Sequence, residues 1–144
     1  MKRYVEGFLF SPDYKEVVLI QKHHPYWMRG KLNGVGGVIN RGETEFAAMK
    51  REFQEEAGML VSDWNQFLII AAGNYQIHYF RATGDVTQAH TRCDLEPVRI
   101  YKTLYLHEER CIPDLAWIIP LAMIELTGSA NLNRTPCRSS RAIS

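Results

Sequence analysis

The chain has 144 residues, 46% of them apolar, and a formal net charge of +1, which suits one domain with a sizeable core and leaves too little chain for two. A charge so close to zero excludes the global basic field of a nonspecific nucleic-acid binder, and no apolar run reaches the length of a membrane span. Cys93, Cys111 and Cys137 are odd in number and form no C-x-x-C pair, which argues against a disulfide framework or a zinc knuckle and reads as free thiols.

The N-terminus, Met-Lys-Arg-Tyr-Val-Glu-Gly, carries an acid and a glycine where a signal peptide needs an apolar core, so a soluble, cytoplasmic protein is expected. Residues 4–10 and 16–21 are rich in β-branched, aromatic and aliphatic side chains around the turn signal Ser11-Pro12-Asp13, and predict a hairpin. Residues 22–31 form a loop mixing Lys22, Arg29 and Lys31 with Tyr26 and Trp27. That mixture suits a nucleotide, and equally describes an ordinary surface loop with half-buried rings. His23 and His24 have no third His or Cys at ligand spacing. Asn33-Gly34-Val35-Gly36-Gly37 reads as a glycine loop, whose freedom at positive φ lets the backbone approach a phosphate or a metal. Val38 and Ile39 suggest a short strand, and Asn40-Arg41-Gly42 a turn.

A helix follows. Thr44 fits an N-cap, Glu45 puts negative charge in the first turn, and Gly58 stands where a glycine ends a helix. Phe46, Met49, Phe53 and Ala57 fall on one stripe and predict the core face. Glu52, Glu55 and Glu56, at i, i+3 and i+4, share an adjacent face beside the small Ala48. Carboxylates so close repel one another unless a cation sits among them, and a hard divalent ion with a preference for oxygen ligands is the natural guest. In isolation the same Glu-x-x-Glu-Glu pattern describes a solvated acidic face.

Beyond Gly58, residues 67–72 and 77–82 read as strands joined by the turn Gly73-Asn74, and residues 84–94 as a loop. Pro97 opens a segment in which Val98, Ile100, Leu104 and Leu106, with Tyr101 and Tyr105, suggest one more strand. Pro113 and Asp114 open a last helix through Leu126, ended by Thr127-Gly128, with Pro120 requiring either a kink or a start near Ile119. Residues 129–144, rich in Ser, Arg, Asn and Thr, read as a mobile tail behind a domain of residues 1–128. The order of elements predicts an α/β fold with a mixed sheet packed between helices.

From Gly37 the chain runs five residues to Glu43, seven more, then Arg51-Glu52-Phe53-Gln54-Glu55-Glu56-Ala57-Gly58-Met59. This resembles, at every fixed position, the Nudix hydrolase signature G-x5-E-x7-R-E-U-x-E-E-x-G-U, where U is apolar. The resemblance implies an α/β/α sandwich and hydrolysis of a nucleoside diphosphate linkage. It implies Mg2+, or Mn2+, held by Glu52, Glu55, Glu56 and the Gly37 carbonyl. Arg51 resembles the arginine that orients the carboxylates, and Glu43 a structural acid. One glutamate, Glu52 or Glu55, is implied as general base. An assisting acid from a late loop falls at Asp94 or Glu96, with Glu96 preferred.

Asn33, preceded by Trp27, begins an Asn-Gly-x-Gly-Gly run similar to family members acting on nucleoside triphosphates, including oxidised purine forms. An Asn amide and an aromatic ring suit a purine edge and face. The late Trp-Pro-Asp-Asp run of the oxidised-purine enzymes is here Cys111-Ile112-Pro113-Asp114, which leaves Asp114 alone as a base-reading candidate. The expected activity is therefore a (d)NTP pyrophosphohydrolase giving nucleoside monophosphate and pyrophosphate, with Lys22 and Arg29 meeting phosphates. ADP-ribose, nucleotide sugars, dinucleoside polyphosphates and capped RNA compete as substrates, and a non-catalytic nucleotide-sensing module as a class. The expected partner is a small nucleotide, not long nucleic acid or membrane, and oligomeric state is not legible.

Overall fold

The computed structural model describes residues 1–134, with side chains as far as Ile124. Its strands are β1 (Lys2–Phe10), β2 (Glu16–Gln21), β3 (Leu32–Asn33), β4 (Val35–Val38), β5 (Asn65–Ala72), β6 (Tyr75–Thr83) and β7 (Val98–Lys102), and its α-helices are α1 (Glu45–Ala57) and α2 (Leu115–Arg134). The strands form one mixed sheet in the order β3-β2-β1-β6-β5, with β4 against β1 and β7 against β2. β1 and β6 run parallel over their whole length and the other pairs antiparallel.

The expected hairpin of β1 and β2 forms, but it splays. Next to its turn Phe10 faces Val17, and further along β4 takes over the β1 edge, pairing Tyr4 with Val38 and Glu6 with Gly36. β3 meanwhile takes the β2 edge, pairing Ile20 with Asn33. The wedge of β3 and β4 is thus what carries the glycine run into the middle of the sheet.

Strand alternation divides the core between the two faces. Val5 and Leu9 of β1, Val18 and Ile20 of β2 and Phe80 of β6 join Met49, Phe53 and Ala57 of α1. Phe8 and Phe10, Val17 and Leu19, and Tyr79 join Leu115, Ile118, Ile119 and Ala122 of α2. Helix, sheet and helix are therefore layered as expected. Thr44 caps α1, its hydroxyl accepting from the Ala47 N–H at 3.1 Å, and Gly58 ends it in the left-handed region at φ 68°.

Several local expectations change. The glycine run is strand rather than loop, and the strand is Val35–Val38 rather than Val38 and Ile39. None of Gly34, Gly36 and Gly37 has positive φ. Crowding is the reason for glycine there: a Cβ on Gly36 would sit 1.9 Å from the Val5 carbonyl oxygen. Phe46 is half exposed, packing edge-on against Phe80 at 5.2 Å, while Met49, Phe53 and Ala57 are fully buried. β7 stops at Lys102, and residues 103–108 turn into 3-10 helix, so Leu104 and Leu106 leave the strand.

α2 starts at Leu115, not near Ile119, and runs through Pro120 and past Thr127-Gly128 to Arg134. The buried stripe Leu115, Ile118, Ile119 and Ala122 spans the proline, and its packing offsets the single hydrogen bond that Pro120 cannot make. A lone glycine costs about 1 kcal/mol inside a helix, too little to end one by itself. Of the expected tail, residues 135–144 lie outside the described residues, as does Cys137. Cys93 and Cys111 are free thiols. No described helix is long and apolar enough to cross a membrane.

Candidate active site

Gly37 and α1 meet edge to face. A Cβ on Gly37 would come within 2.5 Å of Glu52 Cδ, Oε1 and Oε2, so the absent side chain is the space the Glu52 carboxylate occupies. Glu52 is 9% exposed. Arg51 lies beside it and organises the acids: Nε and Nη2 grip Glu43 at 2.7 and 2.9 Å, Nη1 reaches Glu52 at 2.7 Å and Glu55 at 3.2 Å, and Nη2 also bonds the Val38 carbonyl at 2.9 Å. The Arg51 bond holds the Glu43 carboxyl below its ordinary range, and Glu43 in turn keeps Arg51 firmly charged.

Glu56 lies deeper than Glu55, whose side chain is 58% exposed. Burial, reinforced by the charges of Glu52 and Glu96 and only partly opposed by Lys22, raises Glu56 to about 7. Its Oε2 is buried and makes no hydrogen bond. Among the described residues no three acidic, histidine or cysteine side chains converge as a metal cage, because Glu52 and Glu55 are turned towards Arg51. The chemistry of the set nonetheless fits a divalent cation. The donors are all hard oxygens, one buried carboxylate oxygen of Glu56 is left without a partner, and the charges of Glu52 and Glu96 raise the proton affinity of Glu56.

Glu96 comes to the same region from the loop before β7. Its Oε2 accepts from the His23 and His24 backbone N–H groups at 2.8 and 3.2 Å and meets Lys22 Nζ at 3.4 Å. Although burial pushes its carboxyl up, these bonds and Lys22 outweigh that and hold it below the ordinary value. Glu96 thus pins the start of the 22–31 loop. His23 and His24 stack edge to face on each other at 4.6 Å.

On the α2 side of the wedge a cleft of about 510 Å³ adjoins the glycine strand. Lys22 and Trp27 of the 22–31 loop, Asn33 of β3 and Asp114 just before α2 line it together with Gly36 and Gly37. Trp27 is 58% exposed at its lip. Arg29 is not part of the lining: its guanidinium lies over the Tyr26 ring at 5.0 Å and its Nε donates to the His23 carbonyl. A larger hollow of about 710 Å³ between the 103–108 turn and α2 is walled by Leu106, Ile112, Ile119, Met123 and other largely apolar groups, and the box residues take no part in it.

Among the cleft residues that the sequence did not point to, Glu6 and Tyr79 carry ionisable groups. Glu6 is 9% exposed on β1, and burial above all raises it to about 8. Burial also raises the Tyr79 phenol, helped by the Glu6 and Asp114 charges. The signal for Glu6 was present, an acid within Tyr-Val-Glu-Gly-Phe-Leu-Phe on the same alternating face as Phe8 and Phe10.

The NUDIX domain model matches residues 2–108, and with the box on its strand and helix the chain belongs to the NUDIX family. Solved structures of similar fold include a MutT from work on the proteins of Aliivibrio salmonicida and Vibrio cholerae, with TM-score 0.74 and 22% identity over 86% of this chain and 98% of that one. The NUDIX domain of Shewanella oneidensis NrtR, solved with ADP ribose, gives TM-score 0.74 and 17% identity over 86% and 87%. A MutT from Bacillus halodurans gives 0.66 and 21% over 83% and 80%. No curated protein matches the sequence. Members of the family generally use divalent metal ions.

Proposed function

We propose that this chain is a metal-dependent nucleoside triphosphate pyrophosphohydrolase, acting on dNTPs or NTPs and releasing nucleoside monophosphate and pyrophosphate. The observation that carries the reading is the cleft itself, which sets Asn33, Trp27 and Asp114 beside the glycine strand that also packs Glu52. In this arrangement the base enters the cleft, Trp27 covers a face of it, and the Asn33 amide meets its edge. Lys22 faces the phosphates from the cleft wall. Glu52, Glu55, Glu56 and the Gly37 carbonyl would hold Mg2+ or Mn2+. When bound, such an ion neutralises phosphate charge and lowers the pKa of water.

Arg51 orients Glu52 and Glu55, either of which supplies the general base. Glu96 keeps Lys22 and the 22–31 loop in place, an indirect part in catalysis. Free thiols, and the lack of a membrane-crossing helix among the described residues, support a cytoplasmic location.

The test is kinetic, with Mg2+ and with EDTA: kcat/KM on the four dNTPs, on 8-oxo-dGTP and on ADP-ribose, repeated with Asn33→Ala. Triphosphates should be preferred, activity should vanish in EDTA, and Asn33→Ala should cost roughly 10-fold, unevenly among bases. ADP-ribose, the compound bound by the NrtR domain, is the competing substrate, and a large preference for it overturns the triphosphate reading.

A further inference from the structure

We propose that the chain pairs with a second copy of itself along the free edge of β5, the two strands running antiparallel about a two-fold axis at Ile70 and joining two sheets into one. The inference lies apart from the cleft and stands whatever nucleotide the cleft takes.

Two outer strands of the sheet differ in character. β7, on the β2 side, is five residues long and carries Arg99 and Lys102, both exposed, the kind of charge that keeps an edge from pairing. β5, at the other end, pairs with β6 alone among the described residues. It is eight residues long and, as Asn-Gln-Phe-Leu-Ile-Ile-Ala-Ala, has neither a charge nor a proline. Its outer N–H and C=O groups are left to water, and an uncharged row of this kind is a template for another strand. The strand is apolar on both faces. Its register sets Leu68 beside Tyr79 and Ile70 beside Ile77, on the side packed by α2. Ile69 falls beside His78 and Ala71 beside Gln76, on the side of α1, where Ala71 is exposed and Ile69 is 48% exposed.

A second copy brings the matching strand with it, because the edge is complementary to itself. The ladder to β6 is irregular between Gln66 and Leu68, so the straight part runs from Leu68 to Ala72, with Ile70 at its centre. Turned about a two-fold axis there, Ile70 meets Ile70, Ile69 meets Ala71 and Leu68 meets Ala72, an apolar side chain opposite an apolar side chain at each step. Such a ladder with its flanking side chains buries on the order of 1,000 Å² in total, near the lower limit of a specific interface, and corresponds to a dissociation constant of about 10–100 µM. The charged β7 edge offers no equivalent contact, so the assembly closes at two copies.

The experiment is sedimentation equilibrium of the full chain from about 5 to about 500 µM, in wild type, in the double variant Ile69→Lys with Ala71→Lys, and in Leu104→Lys. The paired lysines stand opposite each other across the axis and set four ammonium groups together, while each is exposed in the single chain. Leu104, 74% exposed on the 103–108 turn, tests an apolar surface away from β5. Wild type and Leu104→Lys should pass from monomer to dimer with a midpoint of about 10–100 µM, and the double variant should stay monomeric throughout with its cooperative melting retained. Wild type that remains monomeric at the highest concentration overturns the proposal, as does a double variant that dimerises like wild type or a Leu104→Lys that does not dimerise. If the double variant does not fold, amide hydrogen exchange of wild type decides: protection in residues 68–72 should rise with protein concentration, and exchange there that is independent of concentration overturns the pairing.

Discussion

The two faces of the sheet carry two kinds of site. On the α1 face the acids come from one short stretch: Glu52, Glu55 and Glu56 lie within a single helix, and Gly37 and Glu43 shortly before it. On the α2 face Glu6, Lys22, Asn33, Tyr79 and Asp114 come from across the chain, and only the splayed β1 and β2 with their inserted wedge bring them to one cavity. The first site is encoded by local spacing, because a helix sets side-chain direction at each step. The second is encoded by register, which depends on which strand pairs with which. In the proposed function, chemistry common to many substrates falls to the first and discrimination among them to the second.

The sharpest test of that division is Glu56→Gln. It removes a carboxylate whose buried Oε2 has no hydrogen-bond partner and to which the proposed function gives a place on the metal, so kcat should fall by about three orders of magnitude, roughly 4 kcal/mol, with the fold retained. The loss should be the same for every nucleotide hydrolysed. A loss that varied strongly with the base would merge the two sites into one.

Two neighbouring glycines separate fold from chemistry on the same strand. In Gly36→Ala the new methyl meets the Val5 carbonyl, a backbone atom that cannot move without breaking the pairing of β1 and β4, and stability should drop by roughly 3 kcal/mol or more. In Gly37→Ala it meets the Glu52 carboxylate, the end of a side chain that can swing away. Melting of Gly37→Ala should therefore stay closer to wild type while activity falls at least about 10-fold. Equal melting temperatures with equal activities would show that the glycine strand positions nothing.

The contrast also explains how much of the molecule the sequence disclosed. Thr44, Glu45 and Gly58 bounded α1 correctly because capping is local. The layered α/β/α order followed from alternating strands and two helices. The glycine run was misread as a loop because glycine has two uses, positive φ and close approach, and only the pairing of Gly36 with Glu6 shows the second at work. Glu6 was passed over because an acid in a strand acquires meaning only once its neighbours from other segments are known. Arg29 read as a phosphate ligand from its loop, but stacking on Tyr26 and the bond to His23 take it away from the cleft.

Proton affinity gives a smaller test, one that separates the faces by metal. Burial raises Glu6 to about 8 and Glu56 to about 7, against an ordinary value of 4.5. Each therefore stabilises the folded state fully below about pH 4.5, and that contribution is lost as pH rises through 7 and then 8. Glu43, pulled down by Arg51, works oppositely: its contribution is present above the ordinary value and lost on acidification. In EDTA the melting temperature should thus fall by roughly 5–10 °C between about pH 6 and pH 9, an effect on the order of 2 kcal/mol. Mg2+ should raise the curve and flatten the Glu56 part, while the Glu6 part persists on the other face. A pH profile that Mg2+ leaves untouched would remove Glu56 from the metal site.

The smallest effect expected is that of Glu43→Gln, and it asks whether an acid belonging to the sequence motif must touch the chemistry. Glu43 meets Arg51 through both oxygens, accepts from the Asn40 N–H at 2.9 Å, and is itself partly shielded from water. The amide can keep one bond to Arg51 through its oxygen, and it loses the charge that holds the guanidinium in place. For a pair that is neither fully exposed nor deeply buried, a loss of about 1 kcal/mol is expected. Arg51 retains Glu52, Glu55 and the Val38 carbonyl as partners, so kcat should drop by less than about 10-fold, with KM unchanged and all bases affected alike. Thermal melting alongside steady-state kinetics checks this. A loss of kcat as large as that of Glu56→Gln, without a matching loss of stability, would place Glu43 among the groups that act directly on the reacting phosphate.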